Sequence, residues 1–182
     1  MATIAHEEKG QSRVRKEQFS ISEMIVEVAK KFLDEARRKR INLDVDTPPH
    51  NPLNIVGDRE KIAVVLTNLI ENALTFTDDG GQVGVKAETD DGYVKVLVVD
   101  TGIGIPEKEQ ERIFDRFYQV ESHLTRRHGG MGLGLSIVKA MVEMHNGQIW
   151  CESKEGMGSL FCFMLPIDEN TASAAARVFK TA

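Results

Sequence analysis

Residues 128–139 read HGGMGLGLSIVK, with glycines at 129, 130, 132 and 134 running straight into a segment of helical character. A chain gives up side chains in this way where its backbone must be approached closely. Because these glycines precede a helix, bare amides and the positive end of the helix dipole converge on one place, which suits an anion such as a polyphosphate. A glycine-rich turn of purely structural purpose is the alternative. Two nucleotide-binding signatures are excluded by inspection. A Walker loop needs Gly-Lys-Ser/Thr, whereas Leu135 follows Gly134, and a dinucleotide fingerprint starting at Gly130 needs glycine where Leu135 stands.

The 182 residues suffice for one domain with a two-layer core and flanking segments. A formal net charge of -5 without a long basic run argues against a nucleic-acid surface. No apolar stretch reaches the ~18 to 20 residues of a membrane span, and the opening MATIAHEEKG lacks a signal-peptide core, so the expectation is a cytoplasmic chain without direct membrane contact.

Residues 1–18 are polar and read as a linker or the end of an upstream helix. Ser20 and Glu23 form a capping box, Phe19 and Met24 have hydrophobic-staple spacing, and apolar residues from Met24 to Ala36 recur at helical intervals, which predicts one helix over roughly 21–39. INLDVD alternates as a strand. Asp58 is placed to cap a second helix whose stripe is Ile62, Val65, Leu66, Leu69, Ile70, Ala73 and Phe76. Two strands joined at DDG form a hairpin. A short helix follows at EKEQERIF. The polar stretch from Asp115 to Met131 has no periodicity and reads as a mobile functional loop. A third long helix, about Leu133 to His145, precedes the strands QIWCES and SLFCFMLPI. The sum is an α+β two-layer sandwich over 19–167, a mixed sheet with helices on one face, followed by a loose tail at 168–182. Cys151 and Cys162 flank the turn EGMG; a hairpin centred between Gly156 and Met157 would set them face to face, within reach of a disulfide, the alternative being two buried thiols.

Within NLIENALTFT, residues 68–77, helical geometry brings Asn68, Asn72 and Thr75 together on the flank of the apolar stripe and turns Glu71 toward solvent. Amide oxygens so placed either bridge neighbouring backbone or offer hard donors to Mg²⁺. VKVLVVDTGIGIP ends a hydrophobic strand in Asp100, whose carboxylate would accept from an exocyclic amino group such as that of adenine, with Gly102 and Gly104 letting a flat ring lie on backbone; a plain turn is the other reading. IFDRFYQ supplies Phe114, Phe117 and Tyr118, an aromatic cluster of core type where the long loop departs. His50, His123, His128 and His145 read as surface residues.

Taken in order, NLIENALTFT, DTGIGIP, IFDRFYQ, GGMGLGL and EGMGSLFCFMLP resemble the N, G1, F, G2 and C-terminal glycine motifs of the catalytic ATP-binding domain of bacterial sensor histidine kinases, within the superfamily shared with gyrase, MutL and the large heat-shock chaperone. The resemblance implies a Bergerat-type sandwich holding Mg-ATP between the helix of the N motif and residues 115–131 as an ATP lid. It implies Asn72 as the Mg²⁺ ligand, Asn68 as a phosphate or metal-water contact, and Asp100 as the adenine reader. Gly102, Gly104 and Ile105 would flank the base, with Thr75 and Tyr118 lining the site, Arg126 and Arg127 reaching phosphate from the lid, and Gly130, Gly132, Leu133, Gly134 and Leu135 wrapping the phosphates. It further implies two partners, a histidine-bearing dimerisation domain and a response regulator, and a monomer when isolated.

Hydrolases of the superfamily carry a glutamate where Asn68 stands, because attacking water needs a general base, whereas a neutral imidazole brings its own lone pair; Asn68 therefore favours a kinase over an ATP hydrolase. Thr75, Gln119 and Met131 depart from the family pattern, and a catalytically weak, nucleotide-dependent docking module is the second reading. His6 has a following glutamate, but Gly10 and Gln11 stand where the acceptor motif has Thr and Pro, so the acceptor histidine belongs to another segment.

Overall fold

Helices and strands alternate in an order that segregates them into two layers. The computed structural model describes residues 15–48, 53–120 and 132–168. Its elements are β1 (Glu17–Ser20), α1 (Ile21–Lys30), α2 (Leu33–Arg38), β2 (Asn42–Asp46), β3 (Asn54–Gly57), α3 (Arg59–Phe76), β4 (Gln82–Asp90), β5 (Tyr93–Asp100), α4 (Gly134–Met144), β6 (Gln148–Lys154) and β7 (Gly158–Pro166). Five strands form one sheet in the order β2-β4-β5-β7-β6, with β2 parallel to β4 and the remaining pairs antiparallel. One face of it is apolar by strict alternation: Val83, Val85 and Ala87, then Val94, Val96 and Val98, then Phe161, Phe163 and Leu165 are buried. Against that face pack the stripes of α1, α3 and α4, in one continuous core. The expected mixed-sheet sandwich is therefore the fold. No helix among the described residues is long and apolar enough to cross a membrane.

Local chemistry accounts for the element ends. The Ser20 hydroxyl accepts from the Glu23 amide and the Asp58 carboxylate from the Lys61 amide, so both predicted caps form. Asp91 and Gly92 turn the β4–β5 hairpin with positive φ at both residues, as the DDG signal requires.

Four expectations are corrected. Residues 17 and 18 are not linker: with Phe19 and Ser20 they form β1, which pairs antiparallel with β3 and so covers the core's edge with Phe19 and Ile55. The helix expected over 21–39 is two, because the Lys31 and Phe32 amides bond three residues back, to Val28 and Ala29, and the tightened turn redirects the chain. The segment after Pro106 is not an α-helix but two 3-10 turns, Glu107–Glu109 and Arg112–Phe114. The β6–β7 hairpin is centred on Gly156, one residue off the expected register, pairing Cys151 with Phe161 and Trp150 with Cys162. A shift of one residue sends side chains to opposite faces, so the two cysteines are separate free thiols on opposite sides of the sheet.

Candidate functional site

The three elements that carry the predicted residues meet at one end of the sandwich. In α3, Asn68, Asn72 and Thr75 lie half-buried on the flank of the stripe and Glu71 is exposed, as the helical spacing requires. The Asn68 amide nitrogen donates to the Val64 carbonyl at 2.9 Å, within its own helix. Its Oδ1 is thereby turned outward to the first residue of α4, where a Cβ on Gly134 would stand 2.9 Å from it. The α4 N-cap is Leu133, which supplies no side-chain cap, and Ser136 Oγ donates to the Leu133 carbonyl at 2.9 Å. The start of α4 thus carries no side-chain cap, and at Gly134 no side chain stands between its backbone and the carboxamide of Asn68. The side chain of Asn72, one turn further along α3, makes no hydrogen bond among the described residues.

Asp100 ends β5 and is only 6% exposed. Its Oδ1 accepts from the Gly102 amide at 2.8 Å. Burial pushes its pKa above the ordinary carboxylate value, against the opposing pull of the Gly102 and Ser159 amides. A buried acceptor held at a strand end with rigid amide donors behind it is suited to reading an amino group.

The glycines beside Asp100 have a steric cause within the fold itself. A Cβ on Gly102 would overlap the Phe76 carbonyl at the end of α3, and one on Gly104, which has φ +67, would overlap the Lys154 carbonyl in the β6–β7 hairpin. Protein backbone fills both of those spaces, so neither position accepts a side chain. Gly158, with φ +92, closes the same junction from the other side, its missing Cβ occupied by the Asp100 carbonyl.

Sequence reasoning missed the polar cluster that fastens this junction. The Ile105 amide donates to Ser153 Oγ at 2.8 Å, Ser153 Oγ donates to the Gly158 carbonyl at 2.8 Å, and Gln110 Nε2 donates to the carbonyls of Ile105 and Ser153 at 3.0 and 2.6 Å. No spacing signal marks Ser153 or Gln110, since their partners arrive only when the hairpin folds back over residues 101–106.

Both ends of the long loop are pinned together. The Phe117 amide donates to the Gly132 carbonyl at 3.0 Å, and Gly132 has room for no Cβ, which would lie 2.8 Å from the Tyr118 carbonyl. Tyr118 is half-buried beneath the Arg112 guanidinium, 4.2 Å from its ring centroid. The expected aromatic cluster is divided: Phe114 packs edge-on against Phe161 in the core, while Phe117 is 74% exposed. Leu135 packs against the core from the first turn of α4. Arg126, Arg127 and Gly130 lie outside the described residues.

His145 is a further correction. Far from being a surface residue, it is buried, with both ring nitrogens engaged. At the C-terminal cap of α4 it reaches the Asp58 amide at the cap of α3, in the space left by Gly57.

The model of the histidine kinase-, DNA gyrase B- and HSP90-like ATPase family matches residues 57–169. Among curated proteins, the chain is 44% identical over 123 residues to the sensor histidine kinase WalK of Bacillus subtilis, covering 66% of this chain and 20% of WalK. It thus spans about a fifth of that relative's length. Among solved structures, the catalytic domain of histidine kinase ThkA matches with a TM-score of 0.76 and 32% identity, over 86% of this chain and 99% of that one. ThkA in complex with the response regulator protein TrrA matches with a TM-score of 0.72 and 30% identity, over 85% of this chain and 42% of that one.

Proposed function

Because the chain belongs to the histidine kinase-, DNA gyrase B- and HSP90-like ATPase family and is homologous to sensor histidine kinase catalytic domains, we propose that it binds Mg-ATP and donates the γ-phosphoryl group to a histidine on a separate dimerisation domain. That histidine then supplies an aspartate of a response regulator. The single observation that carries this reading is the juxtaposition of Asn68 Oδ1 with the uncapped start of α4, 2.9 Å from the position of a Gly134 Cβ.

Asp100 accepts the adenine amino group. The amides from Gly132 through Leu135 enclose the phosphates, with Leu133 at the helix cap. Thr75 and Asn68 face the phosphates from α3, and Tyr118 stands at the lid's base. Asn72 fits a magnesium ion: its carboxamide lacks a partner among the described residues, and no cluster of three His, Cys, Asp or Glu side chains competes there. Most donors would then come from water and phosphate, the company this ion prefers, and it supplies charge neutralisation. The lone pair of the incoming imidazole forms the nitrogen–phosphorus bond, the bond from the γ-phosphorus to the bridging oxygen breaks, and ADP leaves. Asn68 provides no base, which transfer to neutral imidazole does not need and hydrolysis does.

Phe117, before the lid, and Ile137, in the first turns of α4, are exposed apolar side chains open to a protein acceptor. The test is incubation with labelled ATP, Mg²⁺ and a purified histidine-bearing dimerisation domain. The expected outcome is acid-labile phosphohistidine on that domain and almost no free phosphate from the isolated chain. Steady phosphate release without acceptor would instead identify a hydrolase.

A further inference from the structure

No step of the reaction above uses His145, yet its imidazole is among the most fully engaged polar groups in the core. It is 8% exposed. The Asp58 amide donates to its Nε2 at 2.9 Å, and Nδ1 stands 2.7 Å from the Met141 carbonyl oxygen. A ring nitrogen that accepts from an amide carries no proton, so the proton resides on Nδ1 and is donated to Met141: the ring is neutral and held in one tautomer. Burial agrees, holding its pKa below the ordinary histidine value with help from Lys61, against the Met141 carbonyl and the Asp58 carboxylate. Gly57 makes room for the ring, since a Cβ there would stand 2.9 Å from His145 Cδ2.

The position of this contact gives it a consequence for the site. Helices α3 and α4 run in opposite directions and meet at two polar points. At one, His145, just past the last turn of α4, touches Asp58, the cap of α3. At the other, ten residues along α3 and eleven back along α4, Asn68 faces Gly134. Helical rise sets these points about 15 Å apart. Between them lie apolar side chains, Ile62 and Val65 on α3 and Val138 and Val142 on α4. Such packing is non-directional and tolerates small slides, whereas a hydrogen bond to a ring nitrogen does not. Asp58 is itself fixed, accepting from the Lys61 amide at 3.1 Å, Lys61 Nζ at 2.6 Å and the Arg15 amide at 3.0 Å.

We propose that His145 is a positioning residue for the nucleotide site: its two hydrogen bonds fix how far α4 is drawn along α3, and so set the distance between the amides at the start of α4 and the carboxamides of Asn68 and Asn72. The proposal rests on the ATP site described under the proposed function.

Two substitutions separate the two bonds. In His145→Gln the longer amide reaches the Nε2 position and accepts from Asp58; in His145→Asn the short amide reaches only the Nδ1 position and retains the bond to Met141. Affinity for ATP with Mg²⁺ is measured by calorimetry below each variant's melting temperature, alongside thermal melts. His145→Asn is expected to bind about three- to tenfold more weakly and His145→Gln within about twofold of the parent, although both lose stability. Gly57→Ala, which displaces the ring without removing it, is expected to weaken binding in the same direction and carries the test if His145→Asn does not fold. Undiminished affinity in the folded variants, or a ring-nitrogen NMR signature placing the proton on Nε2, overturns the positioning role. A parent protein that yields no heat with ATP overturns the nucleotide site itself, a distinguishable result.

Discussion

At the scale of single residues, what a side chain can do here depends on what its neighbours leave unpaired. Asn68 has its nitrogen committed to Val64 and its oxygen free to face α4, whereas Asn72 has no such commitment among the described residues. Asn72→Ala is therefore expected to remove most of the Mg²⁺ dependence of ATP binding, measured as the ratio of affinities with and without the ion, while changing the melting temperature little, since no hydrogen bond within the described structure is lost. Asp100 gives a pH signature. Its folded-state pKa is raised by burial, so its ionised form costs stability, and that cost grows as pH rises through the unfolded value of about 3.8. The proposed reading of adenine requires the ionised acceptor, so ATP affinity is expected to fall on acidification earlier than an ordinary carboxylate would dictate. In Asp100→Asn binding should be weak and lack that step. The asparagine pair and Asp100 were legible in the sequence because helical spacing and strand ends are local facts. His145 and Ser153 were not, because each depends on one partner far along the chain, Asp58 across 87 residues and the Ile105 amide across 48.

At the scale of elements, the same residue type serves two purposes that one substitution series separates. Gly158 sits at φ +92 with its missing Cβ filled by the Asp100 carbonyl, so Gly158→Ala must strain both backbone and contact. A loss of at least about 2 kcal/mol is expected, seen as a melting temperature lower by about 4–8 °C. Gly134 has helical backbone and opens onto only the Asn68 carboxamide. Gly134→Ala should leave the melting temperature nearly unchanged, alanine being the better helix former, yet weaken ATP binding severalfold by displacing Asn68 Oδ1. Calorimetry and thermal melts on the pair check both halves. Caps and hairpin turns were read correctly from sequence since Ser20, Asp58 and Asp91-Gly92 act within three residues of themselves. The β6–β7 register was not, because EGMG admits centres one residue apart and the choice falls to which residues pack against β5.

At the scale of the whole molecule, the site is a seam between layers, with α3 and α4 on one side and the β5 and β6–β7 ends on the other. A ligand that spans such a seam stabilises the folded chain by mass action. ATP with Mg²⁺ at a hundredfold excess over its Kd is expected to contribute about 2.7 kcal/mol, raising the melting temperature by roughly 5–10 °C; equal melting curves with and without nucleotide would contradict the site. The amino-acid sequence by itself determined the layer pattern, the core stripes, the order of the motifs and hence the family, because periodicity, capping and glycine placement are written in short stretches of chain. Only the tertiary structure decided that backbone fills the Cβ positions of Gly102, Gly104 and Gly158, that β1 closes the core's edge against β3, and that His145 joins α4 to α3. Each of these is a meeting of segments distant along the chain, and the energy of such a contact exists only after the intervening residues have folded.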